Sequence, residues 1–410
     1  MTAPAQAIRA YLDAQRDALL GFTAELCGIE SHATQPDGVD AVGDRVCHEL
    51  EALGYVSTRT RGERVPPDRR WLEEVMLPGG YDPTRLAPHR VARKAGTGSG
   101  RVLILGDLDT AFLPGVTQRF AFRRDGDRAL GPGIADMKGG LATAVYALKA
   151  LGATGLDTLG EIVVVLSADE QAGSLTARSV IEAEARGADW VFCMECARDG
   201  GNLMGARAQI GAGLLDVQGR TAHAGSAYDK GVSAIQAMAH KVLAIHALTE
   251  PARDIYLCVG QIQGGWRRTA FPGHARATLD VRTPSAEVWA EDEARLHEIA
   301  AHVELPGSSA TLRLASHRPA LPWTAATDRL IGIAREAGAE LGCTFGVARS
   351  YAAGSSAFVG PLGIPCLDGM GPTGGDLMTD EEHVVIPTLT ERAALLATVL
   401  HKLGAGAWTR

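Results

Sequence analysis

The sequence predicts an α/β protein, a mixed sheet with helices on both faces, interrupted by an inserted α+β domain of about four strands and two helices. Three observations predict it. From Arg101 onward, short apolar runs alternate with helix-length stretches, the pattern of strands connected by crossover helices. Carboxylates follow three of those runs: Asp107 with Asp109, Asp169 with Glu170, and Glu195. Between residues 207 and 317 the pattern changes to the apolar–polar alternation of half-exposed antiparallel strands. The chain is therefore expected to divide into a main domain built from residues 1–206 and 318–410, with residues 207–317 inserted.

Taken in order, residues 8–54 predict two helices split by the turn SHATQPDGVD, the second closed by Leu53 and Gly54, because glycine after the last apolar position is a common helix stop. YVSTRT is a strand candidate. Residues 61–100, with VPPDRR, LPGGYDP and GTGSG, read as loop. RVLILGD is expected as a strand, residues 139–151 as a helix, 160–170 as a strand, SLTARSVIEAEARG as a helix and 189–195 as a strand. In the insertion, AGLLDVQGRTAH, ARATLDVRTPS and SATLRLASHRP predict strands, and VSAIQAMAHKVLAIHAL and AEVWAEDEARLHEIAAHV predict helices. DRLIGIAREAGAELG returns to helix, and the remaining chain is expected to rejoin the first sheet.

Composition narrows the function classes. The 410 residues are 46% hydrophobic and 21% charged, enough for a sizeable core. Forty basic against 48 acidic residues give −8 with no basic run, which argues against nucleic acid or a membrane surface as partner. The segment MTAPAQAIRAYLDAQRDALLGF reads as a charged amphipathic helix rather than a signal peptide. No apolar run has the length of a membrane span. Seven scattered cysteines suit a reducing cytoplasm. Cys193 and Cys196 are spaced C-x-x-C, but a zinc or redox reading needs a second pair or a thioredoxin-like setting, so both are expected as buried thiols.

In open α/β sheets the ligand crevice lies at the carboxyl ends of the strands. One acidic residue there reads as a helix cap. Three clusters converging on one edge read as a site for a cation or for acid–base chemistry. GPGIADMKGG (131–140) adds Asp136 in a glycine-rich turn just before a helix. It is neither G-x-G-x-x-G nor a P-loop.

Together, GDLDTAF, GPGIADMKGGLATAVYAL, SADEQAGS, the strand ending at Glu195, GRTAHAG, LDVR and GPTGGDLMTDEEH resemble the di-zinc carboxypeptidase and aminoacylase family, which includes glutamate carboxypeptidase and succinyl-diaminopimelate desuccinylase. The resemblance implies a zinc-peptidase-like catalytic domain and a lid or dimerisation role for the insertion, hence a homodimer. It also implies a small amino-acid-like substrate and two zinc ions held by a bridging aspartate, two histidines and two further carboxylates. Asp136 matches the bridge and Glu195 a terminal ligand. Asp107 stands where a histidine is expected, Gln171 where a second glutamate is, and Met378 where the last histidine is. What survives is at most one site, on Asp107, Asp136 and Glu195, for one divalent ion (Zn²⁺, Mn²⁺ or Mg²⁺), or no metal at all. His383 lies outside the ligand set and is expected as a surface histidine.

The resemblance gives other residues their roles. Glu170 matches the general base and Asp109 the aspartate that orients a ligand. His223 matches the lid histidine that reaches a partner's site and stabilises the oxyanion. Arg282 matches a lid arginine that holds a substrate carboxylate. Thr269 stands where asparagine is usual and Ser356 where aspartate is usual, so substrate recognition is expected to differ from the family's.

Asp107, Asp109, Asp136, Glu170 and Glu195 would crowd one crevice, and like charges at close range repel. Three resolutions stay open: one divalent ion, neutralisation by Lys138, Arg198 or a cationic substrate, or carboxyls kept protonated. Asp107 is thus a hard ligand, an acid–base group or a substrate contact. Three functions follow: hydrolysis of an amide or related C–N bond, metal-independent acyl transfer, cyclisation or isomerisation, and a non-catalytic homologue.

Overall fold

The computed structural model describes residues 2–76, 82–198 and 200–408. Its main domain is organised by a six-stranded sheet in the order Val56–Thr60, His89–Ala95, Leu159–Ser167, Ser99–Asp107, Trp190–Cys193, Cys366–Leu367. Ser99–Asp107 runs parallel to both of its neighbours, and Cys366–Leu367 is parallel to Trp190–Cys193. The first two strands are antiparallel. The central runs VLIL and IVVVL are buried from end to end, as a sheet covered on both faces requires.

One face packs against the helices Ala3–Ala14, Arg16–Cys27, Pro36–Glu51, Gly139–Thr154, Ala325–Leu341 and Ile386–Gly404. The other packs against Ala177–Ala185 and the helical turns Ser355–Leu362. Gly139–Thr154 lies close to the sheet because its first turn is small. A Cβ at Gly140 would sit 1.9 Å from the Met194 carbonyl oxygen.

The inserted segment forms a separate antiparallel sheet in the order Tyr256–Gly264, His274–Thr283, Gln209–Gln218, Ser309–Arg318. Strict alternation of burial along His274–Thr283 marks a sheet with one covered face. The helices Ala234–His246 and Ala286–Ala301 supply that cover.

Three local expectations change. The first expected helix is two, Ala3–Ala14 and Arg16–Cys27, broken at Gln15 with φ −100° and ψ 5°. The next helix begins at Pro36, inside the expected turn, because proline is well suited to a first helical position. The 61–100 segment, expected as loop, contains a helix Trp71–Met76 and the strand His89–Ala95. Its LPGGY stretch, residues 77–81, lies outside the described residues. HRVARKA escapes a composition-based reading because three of its residues are basic. Its Arg90 is buried all the same, with Nη2 donating to Asp40 (2.5 Å) and Asp44 (2.8 Å). Among the described residues, no helix is long and apolar enough to cross a membrane.

Candidate active site

The three central parallel strands end on one edge, and the carboxylates gather there. Asp107 closes Ser99–Asp107 and is 1% exposed. Its Oδ1 accepts from Ser167 Oγ at 2.5 Å and Ser355 Oγ at 2.8 Å. Burial and the neighbouring Glu170 charge push its pKa up to about 8, against the pull of those two hydroxyls. Asp109 accepts from the backbone N–H of Glu170 and of Gln171, both at 2.9 Å. It thereby fixes the turn that carries the expected base. Burial, then Glu170 and Asp169, raise its pKa.

Asp169 has a structural task. It accepts from Thr176 N and Oγ1, both at 2.8 Å, and from Ala177 N at 3.2 Å, holding the start of Ala177–Ala185. Of the carboxylates at the strand ends, this one is the helix cap.

Asp136 sits in the turn ahead of Gly139–Thr154, whose backbone is held from outside. Glu382 Oε1 accepts from Ala135 N (2.9 Å) and Asp136 N (3.2 Å), and its Oε2 accepts from Met378 N (3.0 Å). Burial and Glu170 raise Asp136 to about 6, opposed by Arg198 and Gln171. The Gln171 amide nitrogen donates to Asp136 Oδ2 at 3.2 Å and to Glu170 Oε2 at 3.0 Å. Both partners are acceptors only, so the NH₂ end must face them.

Two buried arginines complete the cluster, and the sequence reading missed both. Arg318, the last residue of Ser309–Arg318, is 1% exposed and donates through Nη2 to Glu170 Oε1 at 2.8 Å and to Glu170 O at 3.1 Å. Arg207, 0% exposed, donates through Nε to Asp368 at 2.5 Å. Its Nη1 binds the carbonyls of Ala352 and Ala353, and its Nη2 lies 3.8 Å from Glu195 Oε1. Glu195 is raised well above the usual carboxylate range by burial and Asp136, even with Arg207 opposite. Nothing local in GARAQ or ASHRP signals these roles, since the partners lie 161 and 148 residues away. The one available cue is for Arg207, an arginine at the end of the otherwise apolar strand Leu203–Arg207.

Other expected residues lie elsewhere. His223 and Thr269 are neighbours on the insertion, where His223 bridges to Ala270 and Ala224 N donates to Thr269 O at 3.0 Å. Among the described residues, no hydrogen bond joins either side chain to the crevice. His223 Nδ1 accepts from Gly225 N and Ser226 N, each at 3.1 Å, so its proton belongs on the exposed Nε2. Arg282 donates to Asp280 (2.7 Å) and to Tyr351 O (2.5 Å), tying the insertion to the main domain. Lys138 does not neutralise the cluster. Its Nζ donates to Ile29 O at 2.6 Å, and burial lowers its pKa to about 8. Arg198 does act on Asp136. Cys193 and Cys196 are buried free thiols. His383 is only partly exposed, with Nδ1 3.2 Å from Asp376.

The donor set does not fit the two-zinc centre that the resemblance implies. Gln171 turns its amide NH₂, which has no lone pair to give, toward Asp136. Met378 is 58% exposed in a left-handed conformation at φ 63°. Among the described residues, no three His, Cys, Asp or Glu side chains gather as a metal-holding group.

Comparison with known proteins agrees with this architecture. Carboxypeptidase G2 of Pseudomonas sp. (strain RS-16) is 27% identical over 395 residues, covering 96% of this chain and 91% of that protein. Succinyl-diaminopimelate desuccinylase of Xanthomonas oryzae pv. oryzae (strain PXO99A) is 27% identical over 338 residues, covering 75% and 85%. The crystal structure of a tripeptidase from Staphylococcus aureus subsp. aureus Mu50 superposes with a TM-score of 0.78 at 18% identity, covering 95% and 99%. Residues 103–402 match the sequence pattern of peptidase family M20/M25/M40, to which this chain belongs.

Proposed function

We propose that the chain is a hydrolase acting on an amide or related C–N bond of an acylated or peptide-like amino acid. The observation that carries the reading is Glu170. It is 6% exposed at the carboxyl edge of the sheet, its backbone pinned by Asp109 and its carboxylate by Gln171 and Arg318. Glu170 takes a proton from the attacking water and returns it to the leaving amine. His223 offers Nε2–H to the developing oxyanion when the insertion, or that of a second subunit, closes on the crevice. Arg282 receives a substrate carboxylate once it exchanges its present partners.

A divalent ion would be held by Asp107, Asp136 and Glu195 only once these carboxyls drew together around it, and no step above runs through one. A cytoplasmic location is supported by the free thiols. A homodimer through the insertion is supported by the family resemblance.

Gln171 favours a second reading. Its amide tie between Asp136 and Glu170 suits metal-independent acyl transfer, cyclisation or isomerisation using Glu170 and His223. One experiment separates the readings. Purified protein is incubated with a panel of N-acyl amino acids and dipeptides in H₂¹⁸O, and products are weighed by mass spectrometry. Label in the released carboxylate, lost in Glu170→Gln, supports hydrolysis. Turnover without label supports transfer or cyclisation, and no turnover of any panel member opposes both.

A further inference from the structure

We propose that this crevice carries its positive charge in its own side chains. Arg207 faces Glu195 and Asp368, Arg318 holds Glu170, and the Gln171 amide joins Glu170 to Asp136, where the family resemblance implies metal ions. This deepens the reading of the same crevice and rests on its being the working site.

Gln171 supplies the first argument. Its nitrogen lies 3.2 Å from Asp136 and 3.0 Å from Glu170, so one NH₂ group spends both hydrogens on two carboxylates. A carboxylate in that place would repel both and would call for a cation between them.

Arg207 supplies the second. A guanidinium with no exposure is stable only where anions and acceptors meet it, and this one sits in a built cage. Asp368 and the carbonyls of Ala352 and Ala353 take Nε and Nη1, and Nη2 points at Glu195 without a hydrogen bond. The cage depends on Gly354, where a Cβ would lie 2.5 Å from Arg207 Cζ. Ser356, standing where the resemblance expects aspartate, meets both Arg207 Nε (3.1 Å) and Asp368. The cation is thus seated against Asp368 and faces Glu195 from there.

The test needs no substrate, so a failed activity screen leaves it decidable. Protein dialysed against Zn²⁺ or Mn²⁺ is analysed for metal, and its melting is followed with and without chelator. The expected result for the wild type is well under one ion per chain and a melting temperature that neither ion nor chelator moves. Gln171→Glu is expected to melt a few degrees lower, and the pair Gln171→Glu with Met378→His to regain stability with Zn²⁺. Arg207→Lys should lose less than Arg207→Met. If Arg207→Met fails to fold, the wild-type metal uptake and Gln171→Glu decide the matter. One Zn²⁺ per chain stabilising the wild type, or Gln171→Glu melting like the wild type, would overturn the proposal.

Discussion

The crevice has two halves built in different ways. In the half around Glu170, the supporting carboxylates are met mainly by backbone: Asp109 takes the N–H groups of Glu170 and Gln171, and Asp169 those of Thr176 and Ala177, while Glu170's own carboxylate is held by the Gln171 and Arg318 side chains. In the half around Asp107, Asp136 and Glu195, the partners are side chains: two serine hydroxyls on Asp107, an amide on Asp136, and a guanidinium facing Glu195. Backbone donors are present whatever the sequence, so Asp109 and Asp169 need only their own carboxylates in place. Side-chain donors must be supplied by particular residues, so the second half can be rewritten by substitution. Of the residues that depart from the family pattern, Asp107 lies in the second half, Gln171 joins the two halves, and Met378 turns its side chain outward.

The comparison can be broken most severely at Arg318. Removing one partner of a buried ion pair leaves the other charge unpaired, so Arg318→Met is expected to cost about 3–5 kcal/mol in denaturant unfolding. Adding Glu170→Gln should recover a large share, which a double-mutant cycle would register as coupling. If the single and double variants are equally unstable, the pair is not what holds Glu170.

A smaller effect is expected at Asp109. In Asp109→Asn one acceptor oxygen becomes a donor facing an N–H, at a cost of about 1–3 kcal/mol. A structure of that variant should show the 170–171 turn displaced. An unmoved turn with unchanged stability would remove Asp109 as its anchor.

The pH dependence sharpens the contrast further. Asp107 titrates near 8 in the fold against an ordinary 3.8. Between those values the native chain keeps a proton that the unfolded chain has released. Its contribution is therefore full below pH 4 and is lost as the pH rises through about 8. Asp107→Asn should flatten the fall in melting temperature between about pH 4 and 8. His317 goes the other way. Burial, then Arg318, lower it from 6.5 to about 3, so its contribution is present above 6.5 and lost as the pH falls toward 3. His317→Gln should lessen acid lability below pH 6.5 and leave the profile above it alone. Identical profiles for the two variants would mean that neither group sets its limb.

The smallest effect is expected at Met378. The side chain is largely exposed and only its backbone N–H is used, by Glu382. Met378→Leu should change stability by less than about 0.5 kcal/mol. A large loss would show that the thioether has a partner in the crevice.

What was legible in the sequence divides between local and long-range signals. The strands around Ile104 and Val164 announce themselves as apolar runs, and Asp136, Glu170 and Glu195 stand next to recognisable turns. Those signals are local. Arg207 and Arg318 are not legible because their meaning lies in Asp368 and Glu170, which only the folded sheet brings near. Lys138 misled for the same reason: proximity in sequence to Asp136 does not say which way the side chain leaves the turn, and it leaves toward Ile29. The strand His89–Ala95 was hidden by its charges, which are met from elsewhere in the fold: Arg90 by Asp40 and Asp44, Arg93 by Glu184 and Lys94 by Asp157.

The most direct measurement of the central claim is amine release from an N-acyl amino acid by the wild type before and after dialysis against chelator, with Glu170→Gln alongside. The account predicts a rate that survives chelation and falls by about 10²- to 10⁴-fold in Glu170→Gln at unchanged fold. A rate abolished by chelator and restored by Zn²⁺, or a Glu170→Gln variant as fast as the wild type, would contradict it.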